Sequence, residues 1–172
     1  MSQVPVWFER TFEFSLPLNL LPNLWARLRG TPARLEDVLS GCSSHTLTAK
    51  AQDTWSAQEH AGHLLDLETL WLARMEDYVA GRDHLTAADL TNRRTDEANH
   101  NARPLEEILS QFRAARDTLL KRTSEVDASL FARTLPHPRL KTPMRLVDNL
   151  YFVAEHDDHH IARMWELVNP VR

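Results

Sequence analysis

The chain has 172 residues, 42% of them apolar and 26% charged, the balance of a globular domain with enough length to bury a core. A net charge of −4 with no long basic run excludes a nucleic-acid binder working by bulk electrostatics, and no apolar run approaches the roughly 20 residues that a bilayer span needs. The single cysteine, Cys42, excludes an internal disulfide, and the N-terminus lacks the basic and apolar regions of a signal peptide, so the expectation is one cytoplasmic domain over residues 1–172.

In chain order, Val6, Trp7, Phe8, Phe12 and Phe14 mark an aromatic arm, extended or briefly helical, pressed on the core that follows. LLPNLWARLRG predicts a helix with Pro22 in its first turn and Gly30 as its stop. A second helix is expected in TPARLEDVLSG, with Thr31 as N-cap, Pro32 at the first helical position and Gly41 at the exit. Cys42 to Trp55 is polar and reads as a loop.

WSAQEHAGHLLDLETLWLARMEDYVAG carries the strongest helix signal, because Ser56 and Glu59 form a capping box and Gly81 closes the run. Its apolar seam is Ala57, Ala61, Leu64, Trp71, Met75 and Val79. Residues 82–103 are polar and predict short, partly irregular helix. PLEEILSQFRAARDTLLKRT places Leu105, Ile108, Leu109, Phe112, Leu119 and Leu120 on one stripe, a further helix. LPHPRLKTP reads as a proline-punctuated crossing loop, and the last helix is expected from about Met144 to Leu167, with Val147, Leu150, Ala154, Ile161 and Trp165 as its seam. Four glycines are too few for a fold of many tight turns, and no internal repeat or phosphate-binding glycine loop is present. The fold class is all-α, a four-helix bundle with additional short helices.

Nine histidines are many for a chain of this length. A helix turns about 100° per residue, so His156 and His160, four apart in EHDDHHIARM, are offset by only about 40° and share a face, whereas His159 points elsewhere. Two imidazoles make a poor metal site, and a third ligand must come from another helix. The helix opened by Ser56 offers His60, nearer its seam, and His63, further round on the flank. Periodicity leaves the choice between these two open.

WSAQEHAGHL followed later by AEHDDHHIAR resembles the DinB/YfiT-like family of helical bundles, over most of the chain from Leu18 onward. The resemblance implies a divalent metal held by one histidine eight residues after a helix-opening tryptophan and by an H-x-x-x-H pair on the last helix. Here these positions are His63, eight after Trp55, together with His156 and His160. His60 is then a neighbour. The resemblance further implies an enzyme that uses a low-molecular-weight thiol against small electrophiles in detoxification or stress response, or a metal-dependent hydrolase. Relatives often pair into homodimers.

Such a metal, zinc by default with nickel, manganese or iron also accommodated by imidazole, would acidify a bound water or thiol. Either chemistry implies a small-molecule substrate; a non-catalytic binding module is the remaining reading. Glu59, Glu68 and Asp157 are candidates to orient the imidazoles, although Glu59 also caps its helix and the other two could pair with Arg74 or Arg113. Glu155 and Asp158 are expected to face water. Trp71, Arg93, Arg94 and Tyr151 are candidates to line a substrate pocket, and the segment with Asn92 and His100 reads as a cover over the site or as a solvated loop. Cys42, far from these motifs in sequence, is not expected to act as a nucleophile. His45, His84 and His137 have no evident partner in the sequence.

Overall fold

Local signals at Ser56 and Gly81 set the longest helix among the described residues, α3 (Ala57–Ala80). The Ser56 hydroxyl accepts from the Glu59 N–H while the Glu59 carboxylate accepts from the Ser56 N–H, and Gly81 ends the helix with φ 63°, in the left-handed region that favours glycine. The computed structural model describes residues 3–50 and 54–169. Its remaining elements are α1 (Leu21–Leu39), α2 (Ser44–Thr48), α4 (Arg93–Glu97), α5 (Leu105–Ser124), a two-stranded antiparallel hairpin of β1 (Thr134–Pro136) and β2 (Pro143–Arg145), and α6 (Leu146–Val168). Both α3 and α1 pack against α5 and α6, which closes a four-helix bundle, and no helix among the described residues is long and apolar enough to cross a membrane.

Two apolar clusters fill the bundle. One gathers Leu28, Trp71, Met75, Leu119, Val147, Leu150 and Val153; the other gathers Leu35, Ala61, Leu64, Ile108, Phe112 and Met164. On all four helices the positions between the clusters are polar: Thr31 on α1, Glu68 on α3, Arg116 on α5 and Asp157 on α6, each 3% exposed or less. Arg116 donates to Glu68 Oε1 at 2.6 Å, to Asp157 Oδ2 at 2.6 Å and to the Leu28 carbonyl at 3.2 Å. Burial would lower the Arg116 pKa, but the charges of Asp157 and Glu68 hold it above its ordinary value. The expected partners of these acids, Arg74 and Arg113, lie elsewhere; Arg113 pairs with Glu36.

The same layer explains why the expected break between Gly30 and Thr31 does not occur. Pro32 lies inside a continuous α1. It has no N–H to give to the Leu28 carbonyl, a loss that ordinarily breaks a helix. Arg116 supplies that bond from a different helix, and Thr31 turns its hydroxyl to Asp157 Oδ2 at 3.0 Å rather than capping a new helix. Sequence periodicity along one helix carries no trace of a donor delivered from another.

Other expectations are corrected more simply. Part of the loop after Cys42 is the short helix α2, capped by Ser43, and residues 51–53 of that loop lie outside the described residues. The proline-punctuated crossing is a hairpin, with Leu135 opposite Met144 and both buried. Glu155 and Asp158 do not simply face water: Arg10 and Arg27 hold Glu155, and Arg27 and Arg34 hold Asp158. Trp165 and Val79 leave their expected seams and are exposed. The N-terminal arm is a single 3-10 turn at Trp7–Glu9 within extended chain, and Trp7, Phe12 and Phe14 pack around Phe152. These aromatics and Trp25 are partly buried against the bundle's own core.

Arg116→Ala leaves two buried carboxylates uncompensated and is expected to cost about 3–5 kcal/mol in urea unfolding. Replacing the set by Arg116→Met, Glu68→Leu and Asp157→Leu together is expected to cost less than the single change. Equal or greater loss in the triple variant would show that charge compensation is not what the layer depends on.

Candidate metal centre

The face that α6 turns toward α3 carries His156 and His160, one helical turn apart, with ring centroids at 4.4 Å and Nε2 atoms at 3.1 Å. His63 on α3 meets them, its ring 5.3 Å from that of His156 and 4.7 Å from that of His160. One ring nitrogen from each of the three lies within 4.8 Å of the others, and all three side chains are buried. Among the described residues no other group of three potential ligands is this close. Two nitrogens that share a tetrahedral ion at zinc–imidazole distance stand about 3.3 Å apart, so the spacing on α6 suits a single cation.

The far-side nitrogens of two of these rings, His63 and His160, are spoken for. His63 Nδ1 lies 3.0 Å from the Thr95 hydroxyl, which donates to Asp66 Oδ2 at 3.0 Å; His100 Nε2 reaches the same oxygen at 2.9 Å. With the proton of His63 on Nδ1, its Nε2 lone pair is left free. His160 Nδ1 lies 2.8 Å from His60 Nδ1, an arrangement that directs the Nε2 of His160 toward His156. His156 Nδ1 is buried with no partner among the described residues.

The support for His63 comes from the polar segment that reads as a solvated loop. Asn92 and Asn99 adopt left-handed backbone, with φ 55° and 49°, and fold α4 and the following 3-10 turn back over α3. Gln58 Nε2 then donates to the His100 and Arg103 carbonyls at 2.7 and 2.8 Å, and Trp55 Nε1 donates to Asp96 at 2.9 Å. His100 is 1% exposed and lies directly against Gly62, where a Cβ would come within 2.2 Å of the imidazole ring. Glycine within this helix therefore makes room for a ring.

Electrostatics leave the cluster uncharged at neutral pH. Burial lowers the pKa of His60 to about 3 and that of His63 to about 4, and lowers those of His156 and His160 well below the usual histidine value. Partial burial would raise the Asp66 pKa, but the hydrogen bond from His100 leads the contacts that hold it below its ordinary value. Neutral imidazoles offer lone pairs at once, without a proton to displace.

A cavity of about 580 Å³ opens onto the three histidines. Of the residues singled out from the sequence, Trp71 lines it, with its ring 5.7 Å from His156. Tyr151 does not; it sits beside Arg27. Arg93 and Arg94 are exposed, Arg93 pairing with Glu97 and Arg94 with Asp66 and Thr69. None of the three carboxylates proposed to orient the imidazoles does so: Glu59 caps α3 and pairs with Lys50, while Arg116 engages Glu68 and Asp157. That place is taken by Asp66, whose position three residues after His63 was a readable hint, and by Thr95, for which the sequence offers none. His159, off the face shared by His156 and His160, and His137, for which the sequence shows no partner, also line the cavity, while Cys42 does not.

The profile of the DinB superfamily matches residues 27–164. By structure the chain is similar to YfiT from Bacillus subtilis, described as a probable metal-dependent hydrolase with an unusual four-helix bundle topology, at a TM-score of 0.80 and 18% identity over 92% of this chain and 91% of that one. It is also similar to a mycothiol-dependent maleylpyruvate isomerase, at a TM-score of 0.66 and 11% identity over 85% of this chain and 60% of that one. At these identities the likeness is one of fold. No curated protein matches the chain by sequence.

Histidines buried neutral must gain protons to unfold below their ordinary pKa near 6.5, so their contribution to stability is present above that value and is lost as the pH falls toward 4 and 3. For metal-free protein, each such histidine is expected to remove up to about 1.4 kcal/mol per pH unit in that window. Urea unfolding at several pH values between 6.5 and 4.5 measures the slope; a flat profile would mean that the cluster is not neutral in the folded state.

Proposed function

The chain belongs to the DinB superfamily, and on that premise we propose that it is a metal-dependent enzyme that transfers a low-molecular-weight thiol to small electrophiles, with His63, His156 and His160 as the metal ligands. The observation that carries this reading is the meeting of three buried, neutral imidazoles at the wall of a cavity large enough for an organic substrate. A divalent ion held there, zinc as the first expectation, would supply a Lewis acid that acidifies a bound thiol or water. The likeness to the mycothiol-dependent isomerase supports the thiol, and the likeness to YfiT supports a hydrolase as the second reading.

The protein's own groups have separable tasks in either reaction. Thr95 accepts a hydrogen bond from His63 Nδ1–H and donates its own to Asp66 Oδ2, which keeps the His63 ring in one tautomer and one orientation. His60 holds the orientation of the His160 ring through the contact between their Nδ1 atoms. Trp7, Trp71 and Phe152 present ring faces and edges to the cavity, keep water from most of its wall and suit an apolar or aromatic electrophile.

Elemental analysis of the purified protein is expected to find close to one divalent ion per chain, lost in His156→Ala with His160→Ala. Metal-loaded protein should conjugate at least one of a panel of cellular thiols to a chloro-dinitro-arene; transfer of none would end the thiol reading. Hydrolysis of small esters or amides that survives the double substitution would end the hydrolase reading. Thr95→Val and Gly62→Ala, which disturb the support of His63 but not a ligand, are each expected to weaken metal binding about 10–100-fold in a competition titration with a chromophoric chelator.

A further inference from the structure

The histidine cluster occupies one part of the cavity wall; the part built by Trp71 and Arg74 of α3 and by the loop of the β1–β2 hairpin has a different character. His137 is 2% exposed, and its Nδ1 accepts from the backbone N–H groups of Arg139 and Leu140 at 3.3 and 3.2 Å. That fixes the proton on Nε2, which is buried and finds no partner among the described residues. Trp71 Nε1 and Arg139 Nη2 are likewise buried without a partner. Each of these three groups is a hydrogen-bond donor. Among the described residues no unmet acceptor accompanies them on this wall.

Charge points the same way. Arg74 is 1% exposed, its Nε donates to the Thr86 carbonyl at 2.9 Å, and its guanidinium lies 5.4 Å from the centre of the Trp71 ring. Arg139 lies over Phe8 at 5.2 Å and Phe152 at 6.0 Å. Neither arginine pairs with a carboxylate among the described residues, although the other buried cation of the bundle, Arg116, holds two. Burial lowers the Arg74 pKa to about 10 and lowers that of Arg139 as well, and the two guanidinium groups stand close enough to oppose one another and to oppose protonation of His137. Sequestered donors and unpaired cations are costly in a folded chain, and they persist where a ligand completes them.

We propose that this wall is the seat of an oxyanion, a carboxylate or phosphate at one end of an otherwise apolar small molecule whose other end reaches the three histidines. Arg139 Nη2, His137 Nε2 and Trp71 Nε1 donate to the oxyanion, and Arg74 adds charge from behind the Trp71 ring. The two ends of the ligand are one aromatic side chain apart, since Trp71 carries Arg74 against its ring and sits 5.7 Å from His156. Phe152, 5.6 Å from His137 and 6.4 Å from Trp71, contributes apolar surface for the body between them. The reaching of the metal centre rests on the function proposed above; the anion seat stands without it.

Tryptophan emission and melting temperature report binding of three probes to the full chain: 3-phenylpropionate, phenyl phosphate and the neutral 3-phenylpropionamide. At least one anion is expected to bind ten-fold or more tightly than the amide, and the tighter of the two names the head group. Arg139→Gln should abolish that preference and Arg139→Lys should keep part of it. Arg139 is only partly buried, so these variants test the seat even where Arg74→Gln fails to fold. The preference should persist in His156→Ala with His160→Ala, which separates the anion seat from the metal centre. Equal binding of amide and anions, binding of no anion, or an Arg139→Gln protein that retains the preference would each overturn the proposal.

Discussion

Arg116 is the interaction on which the rest of the bundle depends. It projects from α5, ion-pairs with one carboxylate from α3 and one from α6, and gives α1 the hydrogen bond that Pro32 cannot make. A single guanidinium has the donors for this because its fork can serve several acceptors in one plane. Asp157, which it fixes, is the residue next to His156, so the register of α6 against α1, α3 and α5 is set within one residue of the candidate metal centre. The layer lies between the two apolar clusters of the bundle.

Around that fixed register the histidine cluster is organised by what lies behind it. Imidazoles brought together by burial alone would be neutral but free to choose tautomers and ring flips. The chain from His63 through Thr95 to Asp66 and His100 removes that freedom on one side, and His60 holds the His160 ring in its orientation. Only His156 lacks such a partner among the described residues, and there the packing of Trp7 and Trp71 against the ring supplies the constraint. The N-terminal arm thus belongs to the site as much as to the fold: Trp7 contacts both His156 and His159 while closing the cavity over them.

The two polar regions of the cavity are opposites. The histidine region presents lone pairs and calls for a cation; the region of Trp71, His137 and Arg139 presents only donors and calls for an anion. Aromatic side chains separate them and are shared by both, which makes the cavity amphipathic along its length instead of uniformly polar. On the reading proposed above, a substrate that spans it would be positioned by its charged end with its reactive end toward the candidate metal centre, and recognition and chemistry would fall to different groups.

Patterns that depend on near neighbours in the chain were readable directly. The capping box at Ser56, the glycine exit at Gly81, the one-turn spacing of His156 and His160 and the apolar stripe of α5 all follow from helical geometry, and they suffice for an all-α bundle. Periodicity alone could not choose between His60 and His63; the family resemblance pointed to His63, and the fold brings both rings to His160 in different capacities. What the sequence by itself determined was therefore the long helices α3, α5 and α6 and that His156 and His160 share a face. Only the tertiary structure decided that α1 runs through Pro32, that Glu68 and Asp157 answer to Arg116, and that Thr95 and His100 leave a polar, aperiodic segment to stand behind His63. Each of those outcomes rests on a donor or acceptor supplied from a distant part of the chain, and a long-range hydrogen bond leaves no period, cap or spacing along the sequence from which it could be inferred.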